Sequence, residues 1–139
     1  MNVWVSASDG DIDAVKQFLA NGGDVNIKDE FGYTPLQAAV SYNHLELVLF
    51  LLSNGASVTL ADNDLDTPLH RAETVDCAKL LLQHGAELNA RNSEGRTPFD
   101  EAIEEEHTEL IALYESLGAE KSELPADEDE PQQWDIAME

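Results

Sequence analysis

The chain has 139 residues, one domain's worth, and a hydrophobic content of 42% with only 6% aromatics implies a core that is mostly aliphatic. Its 29 acidic against 7 basic residues give a net charge of -22, which argues against nucleic acid and anionic lipid as partners because both reward basic patches. A single cysteine, Cys77, excludes an internal disulfide framework and fits a reducing compartment, so a cytoplasmic or nuclear location is expected.

From the N-terminus, no basic stretch leads into an apolar segment, so no secretory signal is expected. Ile12, Val15, Phe18 and Leu19 recur at helical spacing, and Gly22-Gly23 ends that helix. Asp29-Glu30-Phe31-Gly32-Tyr33 reads as a turn, and Thr34-Pro35-Leu36-Gln37 as a helix start, because proline's missing N–H is an orphan in a first turn and threonine caps it. Leu45, Val48, Leu49 and Leu52 then predict a second helix with its core face on those positions, ending at Gly55. The apolar run 47–52 inside it is far too short to span a bilayer. The same order returns from Asp62 through Thr67-Pro68-Leu69-His70 to Leu80-Leu81-Leu82 and Gly85, and again from Asn92 through Thr97-Pro98-Phe99-Asp100 to Leu117-Gly118.

The threonines of these phrases are 33 and then 30 residues apart, and Gly55, Gly85 and Gly118 keep step. A period near 33 built on Thr-Pro-Leu-His-x-Ala resembles the ankyrin repeat, a hairpin turn followed by two antiparallel helices. The resemblance covers residues 1–118 as four units, about 1–28, 29–61, 62–91 and 92–118, followed by an acidic segment over 119–139. It implies an all-α ankyrin repeat solenoid of four helix-hairpin units with short β-hairpin loops and a disordered acidic tail. The opening Met1-Asn2-Val3-Trp4-Val5-Ser6-Ala7-Ser8-Asp9-Gly10 is also similar to small fungal ankyrin proteins. One unit cannot bury its apolar face alone, so neighbours must stack.

Departures from the period are informative. Unit three is three residues short between Leu69 and Cys77, so its first helix should lose about one turn and leave a notch. Leu65 stands where units two and four carry Gly32 and Gly95, so it either changes the turn or projects apolar surface. Glu115 replaces the second leucine of the Leu-Leu pair, which suits a polar closing unit.

No constellation for catalysis, metal or cofactor emerges, and an enzyme is not expected. His70 belongs to the repeat phrase, His44 and His107 open second helices, and none pairs with another at zinc-ligand spacing. Cys77 reads as core, and Glu104-Glu105-Glu106 as a solvated face. Residues 100–139 hold 15 Asp or Glu against one Lys. Lys121 to Glu130 is too polar to offset its ordering entropy, and Trp134, Ile136 and Met138 alternate beyond it, either as a docking peptide or as a frayed end with a chance tryptophan.

The ankyrin resemblance implies binding through hairpin tips and the inner face of the first helices. Residue by residue it assigns Glu30, Phe31 and Tyr33 to the first tip, Asn63, Asp64, Leu65 and Asp66 to the second, and Ser93, Glu94 and Arg96 to the third. Ser41, Tyr42 and Trp4 join them from first helices. The expected function is a non-enzymatic, monomeric protein-binding adaptor whose concave face holds a basic protein or peptide, since an acidic field speeds capture of basic partners; the same charge also reads as serving solubility alone. A chaperone for a basic ribosomal or nuclear protein, and a structural subunit docking through its acidic tail, are the alternatives.

Overall fold

A computed structural model describes residues 2–120. The acidic segment expected beyond them, with Trp134, Ile136 and Met138, lies outside the described residues.

The chain is a stack of helix pairs. They are α1 (Val3–Ser8) with α2 (Ile12–Ala20), α3 (Pro35–Ser41) with α4 (Leu45–Ser53), a 3₁₀ turn (Pro68–Arg71) with α5 (Val75–Gln83), and α6 (Pro98–Glu104) with α7 (Thr108–Ser116). The first members α1, α3, the 3₁₀ turn and α6 pack in that order, and α4, α5 and α7 line up behind them. Among the described residues there is no β-strand. The hairpins expected between units are turns, each joined to the next by one backbone bond, Asn63 N–H to Phe31 O at 3.0 Å and Ser93 N–H to Asp64 O at 2.9 Å. A single bond per step makes no ladder, so the short hairpin loops are turns and the stack is all-α, as expected.

The repeated phrase works as local chemistry dictates. Thr34 Oγ1 accepts the Gln37 N–H at 3.2 Å while Gln37 Oε1 accepts the Thr34 N–H at 3.3 Å, and Thr97 with Asp100 repeats this box. Gly22, Gly55, Gly85 and Gly118 all take positive φ beyond helix ends, the left-handed closure that glycine adopts without steric cost.

The core is one continuous aliphatic strip through Val15, Leu36, Val40, Leu47, Val48, Leu51, Leu69, Cys77 and Leu81. The predicted face of α4 needs correcting. Leu47, Val48, Leu51 and Leu52 are buried, whereas Leu49 is 47% exposed. Apolar residues circle that helix, so periodicity could not fix its rotation; packing between neighbours does.

Unit four closes the stack differently from the others. Phe99 and Tyr114 stand where unit three has Leu69 and Leu81, and their rings meet edge to face at 6.2 Å. Glu115 is exposed, as a closing unit requires. Residues 119 and 120, expected to begin the tail, are tied down instead. Glu120 N–H donates to Asn89 Oδ1 at 2.8 Å, and Thr97 Oγ1 donates to Glu120 O at 3.0 Å.

The Tyr114 hydroxyl is buried with no hydrogen-bond partner among the described residues. Burial, with the nearby Cys77 adding, raises its pKa, so it stays neutral. An unmet buried hydroxyl costs about 1–3 kcal/mol. Tyr114→Phe is therefore expected to leave the melting temperature unchanged or raise it. A fall of several degrees in a thermal melt would show that the hydroxyl is bonded.

Candidate functional site, the inner groove

Each turn is built around one side chain at its base. Asp29 Oδ1 accepts the N–H groups of Phe31 and Tyr33, both at 2.9 Å. Asp62 does the same for Asp64 and Asp66, and Asn92 for Glu94 and Arg96. These locks hold the tips at fixed height beside the first helices.

A second set of bonds ties unit to unit. Trp4 Nε1 donates to Tyr33 O at 2.9 Å, Gln37 Nε2 to Asp66 O at 2.7 Å, and His70 Nε2 to Arg96 O at 2.9 Å. His70 Nδ1 faces the Thr67 N–H at 3.0 Å as acceptor, which fixes the tautomer with its proton on Nε2. His70 and Trp4 are thus fasteners between units. Trp4, expected on the binding face, is half-buried with its indole N–H committed.

Between α1, α3 and the first tip runs a groove of about 730 Å³. It brings together five of the expected residues, Trp4, Glu30, Tyr33, Ser41 and Tyr42, and adds Val5 and Arg71. Tyr42 is 63% exposed and Val5 54%, giving the groove an apolar lip. Tyr42 lies nearly parallel to the His44 ring at 6.5 Å, and His44 Nε2 donates to Ser8 O at 2.7 Å, so the lip rests on a fixed ring.

Arg71 is the residue that sequence reasoning missed. Its guanidinium lies 4.8 Å from the Tyr33 ring centre, and Nη2 donates to Asp62 Oδ2 at 2.7 Å and approaches Asp66 Oδ2 at 3.4 Å. Burial opposes its charge, but the Asp62 hydrogen bond and the surrounding negative groups outweigh burial and raise its pKa. The lone base beside Asp62, Asp64 and Asp66 was the available signal. The three carboxylates stand within 4.8 Å of one another, and Arg71 bridges two of them.

Other expected residues are not gathered into the groove. Phe31, 59% exposed, sits at the first tip with its ring 6.1 Å from Tyr33. Asn63 turns back to bond Glu30 O at 3.0 Å. Asp64, Ser93 and Glu94 are exposed along the tips. Asp66 is held by Arg71 and by Asn92 Nδ2 at 2.8 Å, so its charge is partly spoken for within the fold. Arg96, read as a tip residue, folds back to Glu101 at 3.4 Å and Glu104 at 2.9 Å. Leu65 keeps the glycine turn with φ of 64° and projects 52% exposed, so the change of turn does not occur and the apolar projection does.

Unit three's shortening has the expected effect. Four residues of 3₁₀ turn replace a helix of seven in its neighbours, and a notch of about 280 Å³ opens beside it. Ser41 and Arg71 belong to both the notch and the groove, so the two adjoin. Cys77 is fully buried, and desolvation with Glu73 adding pushes its pKa up to about 12, so it is a neutral thiol and not a nucleophile near pH 7.

The comparisons with known proteins agree with this architecture. Residues 3–92 match the model of ankyrin repeats (3 copies), and residues 73–113 match that of ankyrin repeats (many copies). An ankyrin repeat-containing protein of Schizosaccharomyces pombe is 40% identical over 95 residues, covering 68% of this chain and 46% of its own. A tyrosine-protein kinase of Hydra vulgaris is 32% identical over 117 residues, 81% of this chain and 16% of the kinase. An E3 ubiquitin-protein ligase of Drosophila melanogaster is 34% identical over 115 residues, 78% of this chain and 4% of the ligase. The chain thus spans less than half the length of these relatives, and what they share with it is the repeat array. The phrase, the locked turns, the paired helices and both model matches converge: this chain belongs to the ankyrin repeat family, whose repeats are protein–protein interaction modules.

Proposed function

We propose that the chain is a non-enzymatic adaptor that holds a basic protein segment along its inner groove, in the cytoplasm or nucleus. The observation that carries this reading is the groove itself, a cleft of about 730 Å³ with an exposed tyrosine lip, in a chain of net charge -22. Aromatic side chains that stand exposed on a fixed support are common binding anchors. The surrounding acidic field raises the encounter rate with basic partners and is screened by salt.

Tyr42 is the cleanest probe. Tyr33 supports Arg71 and is half-buried, so its removal would disturb the fold; Tyr42 is mostly solvent-exposed. A partner captured on the immobilised chain at low and high salt would be purified and titrated against variants. Tyr42→Ala is expected to weaken binding by about 1 kcal/mol or more, mainly through faster dissociation, with little change in melting temperature. Asp64→Asn should slow association at low salt and matter little at high salt. Unchanged affinity in Tyr42→Ala would remove the groove as the site.

A further inference from the structure

We infer that Asn21-Gly22 is a site of spontaneous deamidation, and that it reacts ahead of the chain's other Asn-Gly pair, Asn54-Gly55. In either pair the glycine nitrogen can attack the carbonyl carbon of the asparagine side chain. A new N–C bond closes a five-membered succinimide. The C–N bond of the side-chain amide breaks, and ammonia leaves with the proton that the glycine nitrogen gives up. Water then opens the ring at one carbonyl or the other, giving aspartate, or isoaspartate with the main chain routed through the side chain. Glycine favours closure because no Cβ stands beside the attacking nitrogen.

The structure separates two pairs that the sequence makes equal. Asn21 and Asn54 are exposed residues that follow α2 and α4. Their glycines hold left-handed turns with φ of 91° and 93°, and the glycine N–H groups donate to Leu19 O at 3.0 Å and Leu52 O at 3.2 Å. Ring closure therefore waits for the helix end to open, and the end that is less tied reacts first. Asn54 Nδ2 donates to Phe50 O at 2.8 Å, and Gly55 O accepts Asn26 Nδ2 from the neighbouring unit at 3.3 Å. Asn21 makes no side-chain hydrogen bond among the described residues. Its helix packs chiefly on α1 at one end of the stack, whereas α4 packs on both α3 and α5.

Either product places a carboxylate at the C-terminal end of α2, where the helix dipole disfavours negative charge. Isoaspartate also adds a main-chain carbon just before the left-handed glycine. That puts the closing bonds, Gly22 N–H to Leu19 O and Gly23 N–H to Phe18 O, out of register. α2 supports α1, which carries Trp4 and Val5 into the groove. Reaction at this one residue thus loosens one wall of the groove.

The test is incubation of the full chain at mildly alkaline pH, with conversion at each pair followed by peptide mass spectrometry. In the folded chain Asn21 is expected to convert severalfold faster than Asn54. In concentrated urea the two rates should converge, because the ties that hold Asn54 are gone. Equal rates in the folded chain, or a faster rate at Asn54, would overturn the inference. So would a folded chain in which neither pair converts while both do in urea, or a difference that persists unchanged in urea. Chain deamidated at Asn21, separated by ion exchange, should show faster hydrogen exchange in α1 and α2 than the parent and the same exchange in α5 and α7. Unchanged exchange in α1 would overturn the loosening of the wall.

Discussion

Leu81→Ala is expected to lower stability by about 2–5 kcal/mol, whereas Leu49→Ala should cost less than about 1 kcal/mol. Leu81 is fully buried in α5, one of the residues that join α5 to its neighbours, and truncation leaves a cavity that a stack of short helices cannot easily collapse. Leu49 is nearly half exposed on α4 and gives up little burial. A short array has few interfaces over which to spread a loss, so Leu81→Ala could unfold the chain outright. Urea melts of the two variants beside the parent settle it. Equal costs at the two positions would mean that the rotation of α4 described above is wrong.

The contrast between these leucines shows what the sequence could and could not tell. The period, the Thr-Pro capping phrases and the closing glycines are local chemistry, and each is legible because a turn or cap depends on few neighbours. Leu49 was misread because α4 is apolar around its whole circumference, and only the adjacent units decide which side is covered. The groove was legible in part: Tyr42 and Ser41 follow from their place at the end of α3. Arg71 was not, since its role depends on Tyr33 and Asp66 from different turns meeting in space. Trp4 and Arg96 were assigned outward-facing roles because alignment gives a position on a face, whereas a long side chain can turn back to Tyr33 O or to Glu104.

Gly32→Ala is expected to be damaging although the residue lies outside the hydrophobic core. Its φ is 82°, where an L side chain costs about 1–2 kcal/mol. A Cβ there would also come within 2.8 Å of the Asn63 backbone N and 3.0 Å of Asp62 Cα, so two units would have to move apart. Forced overpacking adds about 1–3 kcal/mol, and the sum is about 2–5 kcal/mol. The opposite change is informative at Leu65, which sits at φ of 64° in the equivalent turn. Relief of the left-handed strain, about 1–2 kcal/mol, exceeds the extra chain entropy of glycine, about 0.5–1 kcal/mol. Leu65→Gly should therefore raise the melting temperature slightly. A large loss in Leu65→Gly would show that its side chain packs against something in the fold, and a neutral Gly32→Ala would contradict the close approach of the two turns.

Hydrogen–deuterium exchange of the chain, alone and with its purified partner, tests the groove most directly. Occupation of the inner face should slow exchange in α1, in α3 and in the turn 29–33, and leave α4, α5 and α7 unchanged. Slowing confined to α4, α5 and α7, or to residues 121–139, would contradict the account and place the binding surface elsewhere.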